Sequence, residues 1–188
     1  MHTDVRNIVS VISAMREQFN HHGPRVAGYA VKLAEVCGMT RNEIGLVAAG
    51  AALHDIGKIF IDADLLNAPR KLTTAERNEM KKHVALGWVV VERAGYEQII
   101  LDIIRSHHEK WDGTGYPDKL QGQEIPLAAR VVTICDVYQA MTAERSYRGP
   151  CTHEFTRTYI EHGRGTYFDP RLVDLFFEQV LTERGEKK

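Results

Sequence analysis

Apolar residues recur along this chain at intervals of three and four, the spacing of helices that bury one face. Ile8, Ile12, Met15 and Phe19 fall on one stripe of a first helix. After the Gly23-Pro24 break a second helix turns Val26, Ala30, Leu33 and Cys37 inward and ends at Gly38. Thr40-Arg41-Asn42-Glu43 is a capping-box pattern that opens a third helix running into His54. That helix is apolar on most sides, which places it centrally. Residues 62–72, with Pro69, read as a connection. A second capping box at Thr73 to Glu76 opens a helix through His83 to about Ala94.

Glu97 to His108 reads as a helix with Ile100, Ile103 and Ile104 inward. Lys110 to Glu124 carries Gly113, Gly115, Pro117 and Gly122, a loop too long to be a mere connection. Pro126 suits the start of the next helix, where Val131, Ile134, Tyr138 and Met141 form the buried stripe. Arg145 to Pro150 is a cationic loop, followed by a helix from Thr152 to about Gly163. Asp169-Pro170 then starts a last helix through Leu172, Phe176 and Val180. No strand and no repeat is visible. The expected fold is all-α, a single bundle of about seven to eight helices. Residues 1–20 form a helix packed on the domain, residues 21–182 form the bundle, and residues 183–188 are a charged tail.

Composition adds exclusions. The chain has 188 residues, 44% of them apolar and 26% charged, as in an ordinary globular domain. No apolar run reaches the roughly 18 residues of a membrane span, and the N-terminus lacks the regions of a signal peptide, so the expected location is cytoplasmic, away from the membrane. Cys37, Cys135 and Cys151 show neither a disulfide framework nor a zinc-knuckle spacing. A formal charge of −1 gives no basic footprint for a nucleic-acid polymer. A small anionic substrate needs only a local group of cations.

The chemistry lies in the histidines. His54 and Asp55 stand together near the end of an apolar run, with Lys58 four residues after His54 and so on its helical face. His21-His22 and His107-His108 are adjacent pairs, and His83 precedes Gly87 by one helical turn. Asp136 interrupts the apolar stripe of its helix, and an isolated buried carboxylate is costly unless paired or bound to metal. Imidazole and carboxylate donors without thiolates suit iron, manganese, nickel or zinc. His22, His54, Asp55, His83, His107, His108 and Asp136 exceed the needs of one ion, so a two-metal site bridged by Asp55 is the economical reading. Two metals roughly 3.5–4 Å apart generate hydroxide at neutral pH and clamp a phosphoryl oxygen for in-line attack.

In order, His22-Gly-Pro-Arg25, His54-Asp55-Ile-Gly-Lys58, Lys71-Leu-Thr, His83, His107-His108-Glu-Lys-Trp-Asp-Gly-Thr-Gly115-Tyr116-Pro117, Ile125-Pro-Leu-Ala-Ala-Arg130, Asp136-Val-Tyr, Arg145-Ser-Tyr-Arg148 and Phe168-Asp-Pro resemble the HD-GYP domain. This is the cyclic di-GMP phosphodiesterase branch of the HD metal-dependent phosphohydrolases. The resemblance implies a helical bundle with iron or manganese in its core. It also implies hydrolysis of cyclic di-GMP to linear pGpG or to GMP through a metal-bridging hydroxide. The seven histidines and aspartates are then metal ligands, with Asp55 and Lys58 catalytic. Lys58, Arg145 and Arg148 hold substrate phosphates, and Gly115, Tyr116 and Pro117 shape the loop beside the substrate. Arginine's fork of donors matches a phosphate, which supports the two arginines independently.

Two positions depart from the family pattern. Gln18 replaces the glutamate that three-metal members place four residues before His22, and a neutral amide is a poor ligand, so two metals are expected. Gln139 replaces an aspartate three residues after Asp136. Two alternatives follow: an HD phosphohydrolase for another nucleotide or for cyclic GMP-AMP, or a catalytically weak module that binds the dinucleotide or a diguanylate-cyclase partner. Regulation is expected from such a partner, from a homodimer, or from a further domain.

Overall fold

A computed structural model of the chain describes residues 22–144 and 149–181. The expected first helix with Gln18, His21, the loop arginines Arg145 and Arg148, and the charged tail lie outside the described residues. Within them the structure is helical, with eight α-helices and a single isolated bridge between Arg164 and Phe168. No helix among the described residues is long and apolar enough to cross a membrane.

Helix α1 spans His22–Val36. The expected break at Gly23-Pro24 is instead helical, part of α1. Gly38, with φ 77°, turns the chain out of α1. Cys37, just past the last helical residue, is half-buried, and Ala34 fills the core in its place. Helix α2 spans Arg41–Leu53 behind the Thr40–Glu43 capping box. A 3₁₀ turn at Ile56–Phe60 and a short α3, Ala63–Leu66, lead to α4, Thr74–Arg93, which starts at the Thr73–Glu76 capping box. Helix α5 spans Gln98–Ser106, and α6 spans Leu127–Thr142 with Pro126 at its N-cap. Helix α7, His153–His162, is capped by the Thr152 hydroxyl. Helix α8, Pro170–Leu175, is capped by the Asp169 carboxylate and continues as a π-turn through Val180. Of the expected α6 stripe, Val131, Ile134 and Tyr138 are buried and Met141 is half-buried.

Two apolar cores meet inside the bundle. The larger gathers Leu33, Val47, Ala51, Ile103, Val131, Ile134 and Phe176 from α1, α2, α5, α6 and the C-terminal turn. The smaller gathers Leu53, Ile56, Val91, Ile100 and Ile104. Ala51 and Ile103 belong to the first and Leu53 and Ile104 to the second, so His54 and His107 fall on the seam between them. Each fully buried Leu or Ile contributes about 1.5–3 kcal/mol, which makes this seam a stiff place to hold polar groups.

Candidate metal centre

Three of the expected ligands stand at helix ends. His54 and His107 are the C-caps of α2 and α5, and Asp55 precedes the 3₁₀ turn, while His22 lies on α1. A helix C-terminus carries partial negative charge, which favours a cation there. His83 projects from the middle of α4 and Asp136 from α6. Helix α2 stops at Leu53, so Lys58 does not share a helical face with His54. The 3₁₀ turn instead brings Lys58 Nζ to 2.6 Å from Asp55 Oδ2.

Glycines make the approach possible. A Cβ at Gly23 would overlap the Ala52 carbonyl oxygen, so glycine lets α1 rest on the end of α2 beside His54. A Cβ at Gly57 would overlap the His83 carbonyl oxygen, and Gly87 stands against the same turn. The glycine one turn after His83 therefore serves backbone contact with residues 56–57.

All seven expected ligands converge. Asp55, His83, His107 and His108 can offer donor atoms that all lie within 4.8 Å of one another, and His22, His54 and Asp136 form a second such group. Asp55 stands between them: its Oδ1 is 3.4 Å from His83 Nε2 and its Oδ2 is 3.4 Å from His54 Nε2. His54 Nε2 is also 3.8 Å from Asp136 Oδ1, which is 2.8 Å from His22 Nε2.

Backbone carbonyls orient the rings. His54 Nδ1 donates to Ala51 O at 2.7 Å, His83 Nδ1 to Met80 O at 2.7 Å, and His107 Nδ1 to Ile104 O at 3.0 Å. Donation from Nδ1 leaves Nε2 as the lone-pair atom aimed at the centre. The Nε2 atoms of His54, His83 and His107 are buried and have no hydrogen-bond partner. Buried polar atoms are rarely left so, and a metal ion is the partner that suits converging imidazole lone pairs and carboxylates. The residues present fit a metal pair.

The charges agree. Burial alone would raise Asp55, but Lys58, His54 and His83 hold its carboxyl well below the usual range. Burial opposes ionisation of Asp136 too, and the His22 bond with the His54 charge overcomes it. Burial drives His107 well below its ordinary value, and burial with His83 takes His108 down to about 3. His54 is the exception: burial lowers it, yet Asp55 and Asp136 carry it up to about 9. Without metal, a proton on His54 supplies the positive charge that the two carboxylates require.

The loop after α5 completes the site. The Tyr116 ring stacks on His108 with centroids 4.8 Å apart at 21°, and Lys81 Nζ lies 4.9 Å from the Tyr116 centroid. Burial and the carboxylates of Asp55 and Asp136 raise the Tyr116 phenol, which stays a neutral donor. Gly115 is buried because a Cβ would overlap the backbone at Glu109 and Lys110. Pro117 is exposed after a cis peptide bond. Two roles went unread in the sequence. Gln139 is buried and its Oε1 accepts from His22 Nδ1, and Lys81 reaches Tyr116. The Gln139 signal was present, since it lies one turn after Asp136 on the same face of α6.

The HD domain family matches residues 7–172. The chain belongs to the HD domain family. Within it the ordered motifs through Gly115-Tyr116-Pro117 are those of the HD-GYP branch. It is similar to the 3′3′-cGAMP-specific phosphodiesterase 2 of Vibrio cholerae, 38% identical over 176 residues, 93% of this chain and 34% of that protein. It is also similar to a cyclic di-GMP phosphodiesterase of Thermotoga maritima, 34% identical over 191 residues, 98% of this chain and 52% of that one. Among solved structures, the HDG"Y"P protein Bd1817 of Bdellovibrio bacteriovorus superposes with a TM-score of 0.69 at 22% identity, over 83% of this chain and 50% of that one, a likeness of fold. The HD domain spans between about a third and about half the length of these relatives. Phosphohydrolases of this family are metal-dependent, and the histidine–aspartate cluster is one that can bind metal.

Proposed function

We propose that this HD domain is the catalytic part of a metal-dependent phosphodiesterase that hydrolyses cyclic di-GMP to linear pGpG or GMP in the cytoplasm, with two iron or manganese ions. The observation that carries the reading is the Asp55 carboxylate, with one oxygen facing each ligand group. The ligand roles follow that division. Asp55, His83, His107 and His108 would hold one ion, and His22, His54 and Asp136 the other, with Asp55 shared. Gln18, a neutral amide, favours two ions over three. When bound, such a pair supplies an activated water and neutralises charge on phosphoryl oxygens.

The chain's own groups do the rest. Lys58, partly exposed beside Asp55, turns its ammonium to a phosphoryl oxygen as charge builds there. Arg145 and Arg148 take the second phosphate of the substrate. The loop at Gly115-Tyr116-Pro117 walls the mouth, and the neutral Tyr116 phenol offers a donor to substrate. Regulatory input comes from a partner such as a diguanylate cyclase, or from a homodimer.

The test is turnover of cyclic di-GMP, 3′3′-cGAMP and cyclic di-AMP by iron- or manganese-loaded wild type and Asp55→Ala. Hydrolysis of cyclic di-GMP by wild type, lost in Asp55→Ala, is expected. No turnover under either loading ends the reading. A preference for 3′3′-cGAMP is the second reading, supported by the name of the Vibrio cholerae relative.

A further inference from the structure

Glu109 follows the ligand pair His107-His108 directly, is only 2% exposed, and takes no part in the ligand groups. Its Oε1 accepts the backbone N–H of Asp118 at 2.7 Å and of Lys119 at 3.0 Å, while its Oε2 is buried without a hydrogen-bond partner. Lys119 has φ 57°, the left-handed conformation that lets successive N–H groups converge on one anion. Asp118 is also gripped from outside by Arg105, through Nε and Nη2 at 2.7 Å each. Between these anchors the chain folds back on Glu109 and Lys110 at Gly115. There Tyr116 N–H donates to His108 O at 3.3 Å and the Tyr116 ring lies on the His108 imidazole.

We propose that Glu109 is a positioning residue: by closing the loop on itself it sets Tyr116 against His108 and so shapes the mouth through which substrate reaches the metals. The consequence for substrate affinity rests on the phosphodiesterase reading, whereas the positioning does not. Charge-assisted bonds to backbone N–H groups are among the stronger hydrogen bonds, and the buried setting leaves water a poor competitor. Arg105, held over the Trp88 ring with its carbon 5.4 Å from the centroid, braces the same segment from the surface.

The test compares wild type, Glu109→Ala, Glu109→Gln and Tyr116→Ala, all zinc-loaded, by the ring-current shift of the His108 imidazole protons. Wild type is expected to show an upfield shift that Tyr116→Ala abolishes. Glu109→Ala should abolish it too while keeping the wild-type metal content. Glu109→Gln, which still accepts two N–H bonds, should keep most of it. In kinetics with cyclic di-GMP, Glu109→Ala should raise KM about tenfold with a smaller change in kcat, the pattern of lost substrate binding. A wild-type His108 shift retained in folded Glu109→Ala overturns the proposal, and so does loss of metal alongside the shift. If wild type turns over no cyclic dinucleotide, the phosphodiesterase reading fails and the His108 shift still decides the role of Glu109.

Discussion

The backbone at Gly57 runs so close to His83 that any side chain at position 57 would overlap the His83 carbonyl oxygen. The glycine therefore shapes the candidate metal centre through backbone packing alone. It lets the 3₁₀ turn that follows Asp55 and carries Lys58 lie against α4, with Asp55 Oδ1 3.4 Å from His83 Nε2. Gly57→Ala should cost about 1–3 kcal/mol by overpacking and weaken metal retention. Urea unfolding and metal analysis of the purified variant check both. Unchanged stability and metal content would show that the turn has room to move.

Lys58 Nζ lies 2.6 Å from the Asp55 carboxylate. Lys58→Met keeps the aliphatic stem and removes the charge, so metal content should hold while kcat falls by about 10²–10³. Loss of metal in this variant would mean that Lys58 organises Asp55 and has no separate role toward substrate.

Acid should weaken the metal-free fold. His83, His107 and His108 are held below their ordinary values, chiefly by burial, so below pH 6.5 the unfolded chain binds protons that the folded chain refuses. Stability then rises with pH across that range. Asp55 and Asp136, both depressed, extend the same trend to lower pH. His54 runs the other way: raised to about 9, its contribution is full below pH 6.5 and fades as pH climbs through about 9. Metal-free protein should lose on the order of 2 kcal/mol between pH 7 and pH 5, measured by denaturant titration. Equal stability at the two values would contradict the burial of three neutral imidazoles.

Much of this was legible in the sequence. Thr40–Glu43 and Thr73–Glu76 announced two helix starts because a capping box is a local device, complete within four residues. The cluster of candidate ligands was legible because histidines and carboxylates stood where an apolar pattern has no use for them. The less legible parts depend on contacts between distant segments. Gly23-Pro24 reads as a break but is helical, because Gly23 answers to Ala52, far along the chain. Lys58 was placed on a helix that in fact ends before Asp55, and Glu109 bonds to a loop whose left-handed turn at Lys119 no glycine marked.

Gln139 supports His22, one of the proposed ligands, from behind. Its Oε1 accepts from His22 Nδ1, which leaves His22 Nε2 beside Asp136. Gln139→Leu should lower metal affinity at the His22–His54–Asp136 group by about 10–100-fold. The group around His83 and His107 should be spared. Competition with a chelator, followed by metal analysis, separates the two. Equal weakening of both groups would show that Gln139 acts on the fold at large.

The proposed bridging role of Asp55 is tested most directly by counting metals in purified wild type and Asp55→Asn, with circular dichroism to confirm that both are folded. The account predicts about two ions per wild-type chain and fewer than one in the variant, because both ligand groups lose a shared donor. Two ions retained in folded Asp55→Asn would contradict it.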